Sequence, residues 1–394
     1  MRPDDGSVRI FTGFRVPHTV SRGPANGCLR DAPTGSIDDV RALARWMSWK
    51  CALVGSPLGG AQGGATCDPR TVSLTKRERL TRRFATELSP ILGEEIDLPA
   101  PDLGTGPQQP AWFNDTRSMH MGQADPGVVP GKPMGIGGSE GRGDASGRGV
   151  LNFFRTAGGR PAFPLATARV VVQRLGNVGA TTATLGATTA TLGAASGATV
   201  VGVSDSDGGI SNPAGTGPDR IDINALADHV QRQESGAGLP GCRVAGLPGC
   251  RAQSGRTRSW HVHATSWSRP RSKCTFRHRR RSTVRATSFS SEGANGPTTP
   301  DADQFLKDRG ITVVPDILCT SGGVIDGSFE WVHDLPRFSW SGDQVGDQLG
   351  GVMSVAFTRL WDRSLEMGAT LREAALDIAI KRVADALAVR GPYP

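Results

Sequence analysis

ARVVVQRLGNVG (168–179) and ATVVGVSD (198–205) spell a strand, a tight turn, a crossover and a second strand. Both apolar runs are short, rich in valine and bounded by glycine or polar residues, the pattern of strands buried in a parallel sheet. The turn Arg174-Leu175-Gly176-Asn177-Val178-Gly179 lacks the first glycine of the G-x-G-x-x-G pattern. Gly176 still lets backbone approach a pyrophosphate. Gly179 still permits close helix packing, with the helix N-terminus offering amides to phosphates. Asp205 lies 26 residues beyond Gly179, but GATTATL occurs at 179–185 and again at 186–192. Removing one seven-residue copy leaves 19, near the roughly 20 of a dinucleotide-binding unit. The repeat therefore predicts a crossover helix lengthened by two turns. A carboxylate at Asp205 accepts from ribose hydroxyls and repels a 2'-phosphate, so the expected carrier is NAD, with NADP as the alternative. The competing reading is an ordinary strand-to-helix turn, with Asp205 forming a turn in SDSDGG.

Outward from that unit, 394 residues exceed the usual single domain, so two α/β domains with separate cores are expected. Ser36, followed by Asp38 and Asp39, opens a helix whose Val40, Leu43, Met47, Cys51 and Val54 form a core-facing stripe with Lys50 beside it. Glycine and proline dominate 55–64 and 93–149, which predicts long loops between short elements. ITVVPDIL (311–318) reads as another buried strand ending in a glycine-rich turn. The last fifty residues read as helices. Thr370 and Glu373 form a capping box, Leu371, Ala375, Ile378 and Ile380 lead an apolar face, and Gly391-Pro392 is the stop. Those helices are expected to return to the first domain. Seven cysteines without a CxxC pair argue for free thiols rather than a zinc ribbon or a disulfide framework. No run of eighteen apolar residues and no secretory leader pattern is present, so the expectation is a cytoplasmic protein without a membrane partner.

The stretches RGPANGCLR (22–30), WMSWKCALVGSPLGGAQGGATCDP (46–69), DLPAPDLGTGPQ (97–108), GGSEGRGDASGRG (137–149), VQRLGNVG (172–179), EGANGPTTPDAD (292–303), PDIL (315–318) and FEWVHDLPRFSW (329–340) occur in one order. In that order they resemble the glutamate dehydrogenase family, over nearly the whole chain outside 235–291. The resemblance begins almost at Met1, ahead of which family members carry helices used in assembly. It implies an α/β substrate-binding and assembly domain over 1–148. A Rossmann-like dinucleotide-binding domain follows over 149–340, with C-terminal helices over 341–394. The implied activity is reversible oxidative deamination of an amino acid, here L-glutamate, to a 2-oxo acid and ammonia, in a homo-oligomer expected to be a hexamer.

Residue by residue, Lys50 matches the family lysine that grips the substrate α-carboxylate, and Asp102 the aspartate that moves protons at the amino nitrogen. A charge-assisted grip and a positioned carboxylate are what such chemistry requires. Ser146 and Arg148 match the stretch beside the cofactor, and Asn295 its cofactor-side asparagine. Gly176, Asn177, Val178, Gly179 and Asp205 fall on the nucleotide fingerprint. The departures lie at site positions. Gln62 replaces the catalytic lysine, a group whose titration glutamine cannot reproduce. Asn26 replaces the lysine that holds the distal carboxylate, Gly327 a serine contacting the same group, Thr320 an asparagine near the nicotinamide, and Arg174 the first fingerprint glycine. A catalytically impaired relative that retains fold and assembly is therefore the alternative expectation.

Residues 235–291 hold twelve Lys and Arg and no Asp or Glu, which leaves the rest of this +8 chain at 8 minus 12, or minus 4. An acid-free arginine-rich stretch suggests a nucleic-acid arm over 251–285. A frameshift accounts for more. Ala264 to Lys273, back-translated with GC-rich codons and read two bases in, spells DVLVPAALE, the family's strand at this place. Arg285 to Ser290 likewise yields RDVVLV just before Glu292. The segment thus reads as frameshifted, which argues against nucleic acid as a partner. It predicts that a central strand is replaced by chain too polar to repay its ordering. The nearly copied pair GLPGCRVA (238–245) and GLPGCRAQ (246–253) is a local duplication, far shorter than a solenoid repeat.

Overall fold

The computed structural model describes residues 10–69, 71–102, 104–158, 169–173, 199–204, 209–211, 251–253, 262–263, 289–335 and 340–391. They belong to two compact units. The first comprises Met1–Arg142, Gly323–Val352 and Ala375–Pro394, and the second Gly143–Gly322 and Met353–Ala374.

The first unit is built on four strands, β1 (Gly13–Thr19), β2 (Ala25–Leu29), β3 (Gly60–Ala65) and β4 (Asp97–Pro101), in the order β1-β3-β2-β4. Strand β1 runs antiparallel to β3, while β3, β2 and β4 are parallel. Helix α1 (Ile37–Val54) links β2 to β3. Ser36 Oγ accepts from Asp39 N, and Gly55 at φ 78° ends the helix. Helices α2 (Leu74–Leu88) and α3 (Gln108–Met121) complete the N-terminal part of this unit. Consecutive residues of a strand face opposite sides. Accordingly, Cys28 packs with Met47, Cys51, Leu58, Leu98 and Val324, whereas Leu29 joins Ala85, Leu92, Phe113, Val128 and Val129.

The glycine-rich run expected to be a loop contains β3, whose six residues are all buried. Its glycines serve close approach. A Cβ on Gly60 would lie 2.2 Å from Ser48 Oγ of α1, and one on Gly27 would lie 1.6 Å from the Ala61 carbonyl oxygen. Side chains there would force helix and strands apart, so the glycines mark a tightly covered strand. The second glycine-rich run likewise includes β4 and the fourteen-residue α3.

In the second unit β5 (Arg169–Gln173) and β6 (Thr199–Ser204) are parallel, as the opening motif requires. They form a sheet in the order β8-β7-β6-β5-β9 with β7 (Gly209–Ser211), β8 (Arg251–Gln253) and β9 (Val262–His263). Among the described residues Val262 lies opposite Val172 and His263 opposite Gln173 beside β5. The crossover and the run 264–288 lie outside the described residues, as do Cys242, Cys250 and Cys274. Cys28, Cys51, Cys67 and Cys319 are free. Helix α4 (Ala145–Gly158) opens this unit, and β10 (Phe289–Ser291) pairs in parallel with β11 (Thr312–Val314). Helix α5 (Pro300–Asp308) lies between these two strands in sequence. The strand expected over 311–318 stops at Val314, because Pro315 caps a short helix, α6 (Asp316–Cys319).

Helix α7 (Gly322–Asp334) begins at the unit boundary, and the rest of it belongs to the first unit. The physical reason is a buried ion cluster. Lys132 Nζ lies 2.7 Å from Glu330 Oε1 and 2.7 Å from Asp334 Oδ2, and Trp331 Nε1 donates to the Glu94 carbonyl. Helices α8 (Gly342–Met367) and α9 (Leu371–Arg390) end the chain. The capping box forms as expected, with Glu373 Oε2 accepting from Thr370 N and Thr370 Oγ1 accepting from Glu373 N. Arg382 donates to the Ala52 and Leu53 carbonyls at the C-terminal end of α1, so the last helix does return to the first unit. Ile380, expected on the buried face, is exposed. No described helix is long and apolar enough to cross a membrane.

Candidate active site

In the first unit the parallel register builds the site. Leu29 lies opposite Pro101, so the next residues, Arg30 and Asp102, emerge side by side beyond their strands. Leu29 also lies opposite Gly63, which sets Gln62 at the level of Cys28. Asp102 is held on several sides. Arg30 Nε donates to Oδ2 at 2.9 Å, Gln62 Nε2 donates to the same oxygen at 3.2 Å, and Asp102 N donates to Thr105 Oγ1. Thr105 Oγ1 in turn donates to the Leu29 carbonyl, tying the turn after β4 to the end of β2.

Lys50 and Gln62 are 4% and 2% exposed, whereas Asp102 keeps 23% of its side chain open. Burial and the Asp102 charge push the Cys28 thiol up to about 11, and Arg142, Lys50 and Arg15 oppose them. The charges of these groups all act on Cys28, the residue that precedes Leu29 on β2. Burial works against the Arg30 cation, yet the charge and hydrogen bond of Asp102 outweigh it and raise its pKa. Asp102 thus sits beside a persistent cation and a neutral amide. Asn26 is buried on β2, and its Oδ1 has no hydrogen-bond partner among the described residues. Gly327 lies on α7, where an added Cβ would meet Arg142 Nη1 at 3.3 Å.

In the second unit Ser146 and Arg148 occupy the first turn of α4. A Cβ on Gly322 would lie 2.0 Å from the Ala145 carbonyl oxygen, so α4 and the start of α7 meet almost backbone to backbone. Arg148 Nε is buried with no hydrogen-bond partner among the described residues, a donor suited to an anionic group. Gly296, next to Asn295, and Thr320 both bond to Asp316. Gly296 N donates to Asp316 Oδ2 and Thr320 Oγ1 to the Asp316 carbonyl. Asp316 N donates in turn to Glu292 Oε2. Gly176, Asn177, Val178, Gly179 and Asp205 lie outside the described residues.

Sequence reasoning missed Arg30, Arg142, Asp326, Glu292 and Asp316 as site-shaping groups. Four of them sit inside the quoted stretches RGPANGCLR, GGSEGRGDASGRG, EGANG and PDIL. Their ion-pair partners are tens of residues away or more, so no local pattern exposes them. Among the described residues no group of three or more His, Cys, Asp or Glu side chains is arranged to hold a metal ion.

Residues 1–119 match the Glu/Leu/Phe/Val dehydrogenase dimerisation domain, and residues 137–391 the Glutamate/Leucine/Phenylalanine/Valine dehydrogenase domain. The chain is 40% identical over 399 residues to a glutamate dehydrogenase of Thermotoga maritima, covering 100% of this chain and 90% of that protein. It is 37% identical to an NAD-specific glutamate dehydrogenase of Halobacterium salinarum, covering 99% of this chain and 85% of that protein. An NADP-specific enzyme of the same organism is also 37% identical, with 99% and 89% covered. The solved structure of a hetero-hexameric glutamate dehydrogenase from Thermus thermophilus in its leucine-bound form superposes with a TM-score of 0.85 at 36% identity, over 99% of this chain and 88% of that one. With both halves of the sequence matched and the fold reproduced, the chain belongs to the Glu/Leu/Phe/Val dehydrogenase family.

Proposed function

We propose that this protein is a glutamate dehydrogenase-type oxidoreductase that reversibly deaminates L-glutamate to 2-oxoglutarate and ammonia with NAD, NADP being the alternative carrier. The observation that carries the reading is the contact of Gln62 with Asp102 at the ends of the parallel strands, with Lys50 buried on the helix that links two of them. That unit is assigned the substrate and the second unit the dinucleotide. Lys50 grips the α-carboxylate through a charge-assisted contact. Asp102, oriented by Arg30 and Thr105, holds and passes the proton at the amino nitrogen. Gln62 orients Asp102 but neither titrates nor carries charge. Ser146, Arg148, Asn295 and Thr320 are the described residues assigned to the cofactor, and the unpartnered Arg148 Nε fits an anionic ligand. A nicotinamide dinucleotide held by these residues would supply the acceptor for the hydride leaving the substrate's Cα. The assembly is proposed to be a homo-hexamer in the cytoplasm.

A second reading is a relative that keeps the fold and assembly surfaces without turnover. What favours it is the 3.2 Å bond from Gln62 Nε2 to Asp102 Oδ2, which fills the catalytic position with a neutral amide. An NAD-linked glutamate deamination assay on the purified protein, beside Gln62→Lys, separates the two. Slow wild-type turnover that rises in the variant supports the enzyme reading with an impaired catalytic position. Equal turnover refutes the impairment, an inactive wild type rescued by the variant favours the second reading, and inactivity in both points to the anomalous segment 235–291. Nucleic-acid binding through 251–285 would instead show as salt-sensitive binding lost on deleting that segment.

A further inference from the structure

Glutamate carries two carboxylates, so a site for it needs two cationic anchors. Around Cys28 the described cations are Arg15, Lys50 and Arg142, with Arg30 beside Asp102. Arg15 is buried and paired with Asp97, and Arg30 is paired with Asp102. Lys50 is assigned to the α-carboxylate, and of these four Arg142, beside Gly327, is the one assigned to the second carboxylate. Its side chain remains 20% exposed, and its Nη1 borders the bare Cα of Gly327. This guanidinium already has a neighbour. Asp326, 0% exposed on α7, places Oδ2 3.6 Å from Arg142 Nη1. The contact is an ion pair without a hydrogen bond, because Oδ2 has no hydrogen-bond partner among the described residues, while Oδ1 accepts from Ser139 Oγ at 3.2 Å. Arg142 Nη1 is turned instead onto the Gly323 carbonyl. Burial raises the Asp326 pKa, and the Arg142 charge opposes it, so the carboxylate draws on the same cation that an acidic substrate would need.

We propose that Asp326 is a positioning residue that weakens the protein's hold on an acidic substrate side chain, by competing with the substrate's distal carboxylate for Arg142. Asn26, buried on β2, adds no cation of its own. The substrate's α-carboxylate and amino group, held by Lys50 and Asp102, are untouched by the competition. It therefore acts on acidic ligands and spares neutral ones of the same length. This inference rests on the site assignment proposed above.

The test is ligand binding to the full chain, which needs no turnover and so stands apart from the activity assay. Calorimetric dissociation constants are compared for glutarate, a five-carbon dicarboxylate, and pentanoate, its monocarboxylate counterpart. Asp326→Asn keeps the side-chain size and the acceptor for Ser139. It is expected to tighten glutarate binding roughly three- to tenfold, the scale of a partly screened charge pair, and to leave pentanoate within about twofold. In an Arg142→Gln background the same substitution is expected to give no gain. Where the wild type turns over, KM for glutamate falls and KM for norvaline does not. Equal tightening of both ligands, no tightening of glutarate, or a gain that survives without Arg142 would each overturn the proposal. Loss of all binding in a folded Asp326→Asn protein, checked by circular dichroism, would overturn it too.

Discussion

Asp102 in the first unit and the trio Glu292, Asp303 and Asp316 in the second are both carboxylate sites built around an arginine, and they are finished to different degrees. Arg372 Nη2 reaches Glu292 at 2.7 Å, Nε reaches Asp303 at 2.9 Å and Nη1 reaches Asp316 at 3.5 Å. Glu292 and Asp316 are almost completely buried. Burial works against the Arg372 cation, but the charges of Glu292, Asp316 and Asp303 prevail and raise its pKa, so it stays charged. Asp102, by contrast, counts an arginine and an amide among its partners and keeps 23% of its side chain open. A saturated cluster has no capacity left for a substrate and serves as scaffold. An incompletely filled one can take part in proton transfer, and its chemistry depends on which neighbour completes it.

The largest expected effect follows from completing the open site differently. Gln62→Lys would place a titratable cation next to Asp102. Deamination is expected to rise by about 10² to 10⁴ in kcat/KM, the range of a general acid–base group, in a steady-state assay. Next comes the saturated cluster. Arg372→Ala leaves Glu292 and Asp316 buried without their cation, and a loss of about 3–5 kcal/mol in denaturant unfolding is expected. Arg30→Ala at the partly exposed pair is expected to cost about 1 kcal/mol or less. Equal losses at the two arginines would erase the distinction drawn here.

Legibility in the sequence follows the same division. The parallel pair β5–β6, helix α1 and the capping box at Thr370 were readable because each rests on local periodicity or on partners three or four residues apart. Strand β3 was misread because its glycines answer contacts with Ser48 of α1 and with β2 that no local pattern records. Lys50, Gln62 and Asp102 were legible only through the flanking motifs. Arg142 with Asp326 was missed because 184 positions separate the partners, by subtraction of their numbers. The frameshift reading falls mainly on the run 264–288, outside the described residues; the two residues described beside β5 stand at the edge of its sheet. Ser290 of β10 is a buried hydroxyl where RDVVLV would have supplied an apolar side chain, and the Oγ of the next residue, Ser291, lies 3.1 Å from Cys319 Sγ.

A smaller effect separates buried from exposed carboxylates by the sign of their pH dependence. Burial pushes Asp31 up to about 6, against the hydrogen bond from Ala65 N and the charge of Arg77. Its unfolded pKa is about 3.9. The folded state therefore binds the extra proton between these values, and the group's unfavourable contribution grows as pH rises from about 4 to 6. Asp31→Asn keeps an acceptor for Ala65 N without the charge. It is expected to raise Tm relative to wild type at pH 7.5, with the gain vanishing near pH 4. A gain independent of pH would assign the effect to packing.

Thr370 and Glu373 give the smallest effect and the opposite sign. Glu373 is exposed, and the backbone and side-chain hydrogen bonds from Thr370 hold its pKa below the usual carboxylate value. A depressed carboxylate contributes stability above its unfolded pKa and loses it as pH falls through the folded one. Thr370→Ala keeps the backbone donor to Glu373 but removes the hydroxyl that donates to Oε2 and accepts from Glu373 N. A loss of about 1 kcal/mol is expected at neutral pH, the usual cost of a deleted N-cap. Because one of the deleted bonds ends on the ionised carboxylate, the loss should shrink below pH 4. The same first turn of α9 carries Arg372, two residues on, so the cap sets the direction from which the guanidinium enters its acidic cluster. Denaturant melts of Thr370→Ala, Arg372→Ala and the double variant at pH 7 measure that coupling. If the cap only ends a helix, the two losses add. If it also orients Arg372, the double variant loses less than their sum.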